Sequence, residues 1–183
     1  MADKLLTPHF RAAFISVFRA TTNKANPEAE PSFSVRAMFP PTADMKGLKA
    51  AAALVASEKF GAALPKTLRS PFRKNEDLEN PVEGVGPDWI VMTFARKEKS
   101  GRPGLVDAKL QDIIDETDAY SGAWYRAEVR AYAYEKAGNK GVSFGLQNLQ
   151  KIRDDDPLGG GRAKPQDVFE AVEGAETSAG VFD

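Results

Sequence analysis

The chain has no cysteine and a single histidine, His9. Without thiols there is no disulfide framework, no thiolate nucleophile and no zinc-thiolate centre, and one imidazole cannot by itself build a histidine-rich metal site. No cofactor and no metal are therefore expected. The chain also lacks the run of about 18 apolar residues that a bilayer span requires. The stretch before Phe10 has no apolar signal-peptide core, so a soluble protein of a reducing cytoplasm, with no membrane partner, is expected. There is no internal repeat. What is present, 42% hydrophobic and 28% charged residues over 183 positions, suffices for one ordinary core.

The net charge of −1 conceals a split. From Gln166 to Asp183 there are five acidic residues (Asp167, Glu170, Glu173, Glu176, Asp183) and no Lys or Arg, which leaves 25 basic against 21 acidic residues in the preceding body, a balance of +4. Gly159-Gly160-Gly161 separates the two and reads as a linker, since it lacks the preceding strand and the Lys-Ser/Thr ending of a phosphate loop. Residues 1-158 are thus expected to fold as one domain, and 159-183 to form a flexible acidic tail.

Within the body, Phe10, Ala12, Phe14 and Phe18 recur with period two and predict a strand with one buried face. A polar loop spans residues 23–31. Phe33, Val35, Ala37 and Phe39 then alternate with Ser34, Arg36 and Met38 until Pro40-Pro41 stops the strand. Leu48, Ala51, Ala52 and Val55 fall at helical spacing within residues 44–60, and Gly61 supplies a stop. Residues 62–87 have several prolines and no period, and predict an irregular excursion. Residues 89–96 predict a strand, the basic turn 97–104 a hairpin returning from Leu105, and residues 122–135 and 142–153 an antiparallel pair around a turn at 136–141. The fold class is mainly β with one main helix, compatible with a small antiparallel barrel of which the OB type is one member. Periodicity alone does not choose among such barrels.

The long strand places Tyr125, Ala127, Val129, Ala131 and Ala133 on one face and Trp124, Arg126, Glu128, Arg130, Tyr132 and Tyr134 on the other. Aromatic rings that stack on bases, interleaved with guanidinium groups that reach phosphates, suit a sequence-tolerant single-strand site. The same aromatics would equally serve packing under a neighbouring element, with Arg126 paired to Glu128 or another acid. The flanking turns add Lys97, Lys99 and Arg102 on one side, and Lys136 and Lys140 on the other. Either turn alone is ordinary solvated charge; together with the strand between them they make a candidate DNA-binding surface. Catalysis is poorly supported. Asp107, Asp112, Asp115, Glu116 and Asp118 could be imagined holding magnesium in a nuclease, but they match no ligand spacing, and His9 has no identifiable nucleophilic partner.

Tyr120-Ser121-Gly122, the strand ending Ala133-Tyr134, the run from Gly138-Asn139-Lys140-Gly141 to Gln147-Asn148, and Pro157-Leu158-Gly159-Gly160 together resemble a family of phage and prophage single-stranded-DNA-binding proteins. Phe33-Ser34-Val35 with Phe39-Pro40, and Arg102-Pro103 with Val106-Asp107, extend the resemblance over most of residues 5–160. It implies an OB fold, binding of single-stranded DNA without sequence preference, a role in phage replication, recombination or repair in the host cytoplasm, and no enzymatic activity. It also implies an acidic tail; here Phe182 and Asp183 are the candidate partner-binding residues for phage or host replication and recombination proteins, and the tail is expected to compete with DNA for the basic body. A phage structural or assembly protein docking through the tail is the alternative.

Overall fold

The computed structural model describes residues 4–158 and 168–171. Its strands are β1 (Leu5–Leu6), β2 (Phe10–Thr21), β3 (Ser32–Phe39), β4 (Arg73–Lys74), β5 (Ile90–Lys97), β6 (Gly104–Val106), β7 (Trp124–Lys136) and β8 (Asn139–Arg153), with one α-helix, α1 (Lys46–Phe60), between β3 and β4. Following the pairings around, β2 joins β3, β3 joins β5, β5 joins β8, β8 joins β7, and β7 returns to β2. Five strands therefore close into a barrel of the OB type, antiparallel except at the β5–β8 seam. Closure removes the free edges that an open sheet would expose.

The inward face is the set that alternation selects. Phe10 lies fully buried at the centre, 5.4 Å from Phe39, 5.9 Å from Phe94 and 6.3 Å from Tyr125 between ring centroids. Most of these contacts are edge-to-face, the arrangement that ring quadrupoles favour. Burial pushes the Tyr125 phenol far above its ordinary range, so it stays protonated and donates to the Tyr120 carbonyl. Helix α1 buries Leu48, Ala52 and Ala56 against β7 and β8, the small alanines allowing close approach. It ends at Gly61, whose φ of 82° only glycine adopts freely and whose N–H donates to the Ser57 carbonyl.

Three expectations are corrected. The first concerns Phe14, which alternation assigns to the buried face of β2. A bulge between Ala13 and Ser16 breaks the register with β3, Phe14 takes φ 46°, and its ring is 67% exposed. The inserted residue re-aims the side chain to the outside. The second concerns β6, expected to return along β5 as a hairpin. Both edges of β5 are occupied, by β3 on one side and by β4 and β8 on the other, so β6 crosses over and pairs parallel with β8 at Gly104↔Asn148 to Val106↔Gln150. The third concerns the turn after β7, which is tighter than expected: Ala137 and Gly138, both at positive φ, make a two-residue hairpin loop.

The aperiodic excursion has a single polar organiser. Asn75 is 3% exposed; its side-chain amide donates to the Val82 carbonyl at 3.0 Å and accepts from the Val82 N–H at 2.7 Å, while its own N–H reaches the Trp89 carbonyl at 2.8 Å. Held this way, Val82, with Leu78, Val85, Trp89 and Leu158, covers Ala13, Met38 and Val91 on the outer side of the barrel. Asn75→Ala leaves the buried Val82 N–H and carbonyl without partners and is expected to destabilise the protein by about 1–3 kcal/mol. The checks are the urea midpoint and the rate of proteolytic cleavage within residues 78–88. Unchanged values would show that the excursion is held by its apolar contacts alone.

Candidate nucleic-acid interface

Where the excursion stops, the outer face of the barrel is open, and pairing register gives its composition. One row across the strands runs Ser16, Ser34, Ala95, Gly145, Arg130. The neighbouring row runs Ala13, Arg36, Thr93 on β2, β3 and β5, and continues as Ser143 and Tyr132 on β8 and β7. The first row has only small side chains until it reaches Arg130. It makes a low floor across four strands, walled on the next row by arginine and tyrosine.

The wall is where charge and aromatic surface meet. The Arg36 guanidinium lies 4.9 Å from the centroid of the exposed Phe14 ring, a cation–π contact. Burial lowers the Arg36 pKa and the nearby positive charge of Arg73 lowers it further, yet an arginine stays charged at neutral pH. Arg73 is exposed and donates to the Asp77 carbonyl at 3.1 Å. Among the described residues, no ion pair joins Arg36, Arg73 or Arg130 to a carboxylate. Two guanidiniums that repel each other with no acid between them form a place for an anion. They line one hollow of about 250 Å³ together with Ser70, Thr93, Tyr134 and Ser143. The Tyr134 ring packs against Gly141, where a Cβ would come 2.5 Å from the tyrosine hydroxyl and would push the ring aside.

The candidate residues of β7 divide between the two ends of the strand. Arg130 and Tyr132 are exposed, Tyr132 at 48%, and with Tyr134 they belong to the open face. Trp124 and Arg126 are engaged inside the molecule. The Trp124 indole donates to Asp155 at 2.7 Å, has the Arg153 guanidinium 4.6 Å from its ring centroid, and sits 6.1 Å from the Trp89 ring. That indole hydrogen bond is the largest reason why the Asp155 carboxyl titrates below its ordinary range, followed by the Asp156 N–H. Arg126 donates to Gln150 at 2.7 Å, and Glu128 accepts from Asn148 rather than from Arg126.

The turn cations differ among themselves as well. Lys97 and Lys99 both pair with Glu30, at 3.2 and 3.4 Å. Desolvation pushes the Glu30 carboxyl up, and the bonds and charges of the two lysines outweigh it, holding the carboxyl below its usual range. Arg102 stacks on Phe18 at 4.3 Å, Lys140 pairs with Glu135 at 3.8 Å, and Lys136 is exposed. Phe182 and Asp183 lie outside the described residues. The nuclease alternative gains no support: among the described residues no group of three or more His, Asp or Glu side chains could hold a metal.

Phe14, Arg36 and Arg73 were not singled out by the sequence. Arg36 does stand at the centre of the polar face of the clearest strand, which is a signal. What distinguishes it from an ordinary surface arginine is the missing carboxylate, and that is a property of the folded chain.

Comparison with known proteins places this architecture. The family model described as the single-stranded-DNA-binding protein of Enterobacter phage Enc34 matches residues 3–179. The solved structure of the Enc34 protein in complex with single-stranded DNA aligns over 85% of this chain and 89% of its own, with TM-score 0.69 and 16% identity. The single-stranded-DNA-binding protein gp2.5 of bacteriophage T7 aligns over 90% of this chain and 99% of its own, with TM-score 0.56 and 14% identity. No curated protein sequence matches the chain. A match over nearly the whole chain, on a five-stranded barrel of the same fold, shows that the protein belongs to the Enc34 family of phage single-stranded-DNA-binding proteins.

Proposed function

We propose that the protein binds single-stranded DNA without catalysing its cleavage, in phage DNA replication, recombination and repair in the host cytoplasm, and that the strand crosses the outer face of β2, β3, β5 and β8 to the outward side chains of β7. The observation that carries the reading is the conjunction on that face of exposed aromatic rings, Phe14 and Tyr132, with guanidiniums that have no internal acid, Arg36, Arg73 and Arg130. Rings stack on any base and guanidiniums attract any phosphate, so the face suits binding that is tolerant of sequence. The small-residue floor lets a strand lie close to the sheet. OB barrels hold oligonucleotides on this side, flanked by the loop between their first two strands and by the hairpin between their last two; here these are residues 22–31 and the Ala137-Gly138 turn. Tyr134 and the exposed Lys136 extend the face along that hairpin. Trp124 and Arg126, together with Asp155, act in holding the barrel, and Lys97 and Lys99 contribute less than their charge suggests because Glu30 offsets them. The acidic tail competes with DNA for the face, with Phe182 and Asp183 recruiting protein partners; the support is the charge split between body and tail.

Phe14→Ala and Tyr132→Ala are expected to fold normally and to lose about 1–3 kcal/mol of oligothymidine affinity for each base that each ring stacks, measured by fluorescence anisotropy with thermal melting as the folding control. Wild-type affinity in both variants would place the strand elsewhere.

Salt dependence tests the cations separately. For single strands, log affinity falls with log salt by about 0.7 per neutralised phosphate. Arg36→Ala and Arg73→Ala are each expected to flatten that slope by about one phosphate equivalent, and Lys97→Ala or Lys99→Ala to change it less. Equal effects from all four would mean that internal pairing with Glu30 does not persist when DNA is bound.

A further inference from the structure

The open face has a second hollow, a cleft of about 450 Å³ between β2 and the loop of the excursion. Its walls are apolar at Ala13, Pro81, Val82 and Leu158 and polar at Asn80 and Glu83, with Phe14 and Arg36 at the edge facing the DNA path. Arg36 lines both hollows, so the cleft adjoins the proposed phosphate site. Ala13 and Val82 are buried in the small outer core, and Val82 is fastened through Asn75, so this wall is built rather than a loose gap.

We infer that this cleft takes a single nucleobase of the bound strand, flipped off the path beside Phe14, with Glu83 accepting from an exocyclic amine of that base. The inference rests on the single-strand reading above and deepens it. A nucleobase is the one part of a DNA strand that matches the cleft: flat apolar faces for Val82, Pro81 and the Phe14 ring, and a polar edge for Asn80 and Glu83. Its phosphate is left at the mouth, beside the Arg36 guanidinium, which among the described residues has no ion-paired carboxylate. The bulge between Ala13 and Ser16 and a φ of 46° turn the Phe14 ring outward, where it lines this cleft. A carboxylate accepts from the amine of cytosine, whereas thymine offers no exocyclic amine. The protein thus carries one base preference within an otherwise sequence-tolerant site.

The probe is the shortest oligothymidine that binds at full strength, so that the register cannot slide, with each position replaced in turn by an abasic unit or by deoxycytidine. One position is expected to lose about fivefold or more in affinity as an abasic unit, the lower end of what a stacked base contributes, and the same position is expected to gain severalfold as cytosine. Glu83→Ala, at an exposed position outside the core, removes the acceptor and is expected to abolish the cytosine gain and keep the abasic loss. Phe14→Ala is expected to reduce both. If the oligonucleotide binds, with Arg36 and Arg73 needed, but no position stands out, or if the cytosine gain survives in Glu83→Ala, the cleft inference is overturned and the single-strand reading stands. Absence of oligothymidine binding by the wild-type protein would overturn both.

Discussion

The barrel depends on a short seam. Between β2 and β7 only two residue pairs are in register, Phe10↔Tyr125 and Arg11↔Trp124, and without them the five strands would be an open sheet with its aromatic core on one face. The seam is reinforced from outside the ladder. The Gly122 N–H donates to the Ala12 carbonyl at 2.8 Å, and the Ala12 N–H to Ala123 at 3.1 Å. The Arg11 side chain donates to the carbonyls of Gly122 and Asp156, at 2.9 and 2.7 Å. Gly122 has φ 116° with the backbone of Asp156 to Leu158 pressed against its Cα, so any side chain there would collide with main chain, which cannot move aside as a flexible side chain can. Asp155 then gathers Trp124, Arg11 and Arg153 into one cluster. Fastening by polar groups at the rim lets a two-pair junction hold a core that the hydrophobic effect alone would not orient.

The seam and the proposed binding face are coupled through β2. The strand must reach β7 at Phe10 and Arg11 and still pair with β3 from Arg11 onward, and the bulge at Ala13 to Ser16 follows directly. Bulges increase local twist and bend a strand, which is what a strand shared between two neighbours in a tight barrel requires. The bend carries Phe14 to the outside. The outward Phe14 ring is therefore a by-product of closing the barrel.

Much of this architecture was legible in the residues. Period-two alternation found β2, β3 and β7 with nearly their final bounds, helical spacing with Gly61 found α1, and the Gly138 turn found the β7–β8 hairpin, because each signal is local. The division of β7 into a buried and an outer face also follows from alternation. The bulge did not show, since one inserted residue leaves composition and spacing almost unchanged. The crossing of β6 did not show either, because it depends on which strand edges remain free after folding. The excursion is organised by one asparagine whose partners lie 7 residues away and more, with no period to detect. At the site, residue types suggested Trp124 and Arg126 as readily as Tyr132 and Arg130; what separates them is the presence of Asp155 and Gln150 as internal partners.

That last distinction also explains how a chain of net charge −1 is compatible with a polyanionic ligand. Electrostatic attraction at a surface is set within about a Debye length, roughly 8 Å at physiological ionic strength, so distant acids matter little. Within that range the relevant quantity is the number of cations without an internal partner. Lys74, Lys97, Lys99, Lys140 and Lys151 each have a carboxylate nearby, as do Arg11, Arg19 and Arg153. Among the described residues Arg36, Arg73 and Arg130 have no carboxylate within ion-pair distance, and the first and last of them lie on adjacent rows of one open face. A phosphate that meets these groups replaces water and counterions rather than an existing ion pair, so its attraction is not offset by a bond that must first be broken. The proposed binding surface is thus defined less by where basic residues are placed than by where the fold leaves them without an ion-paired acid.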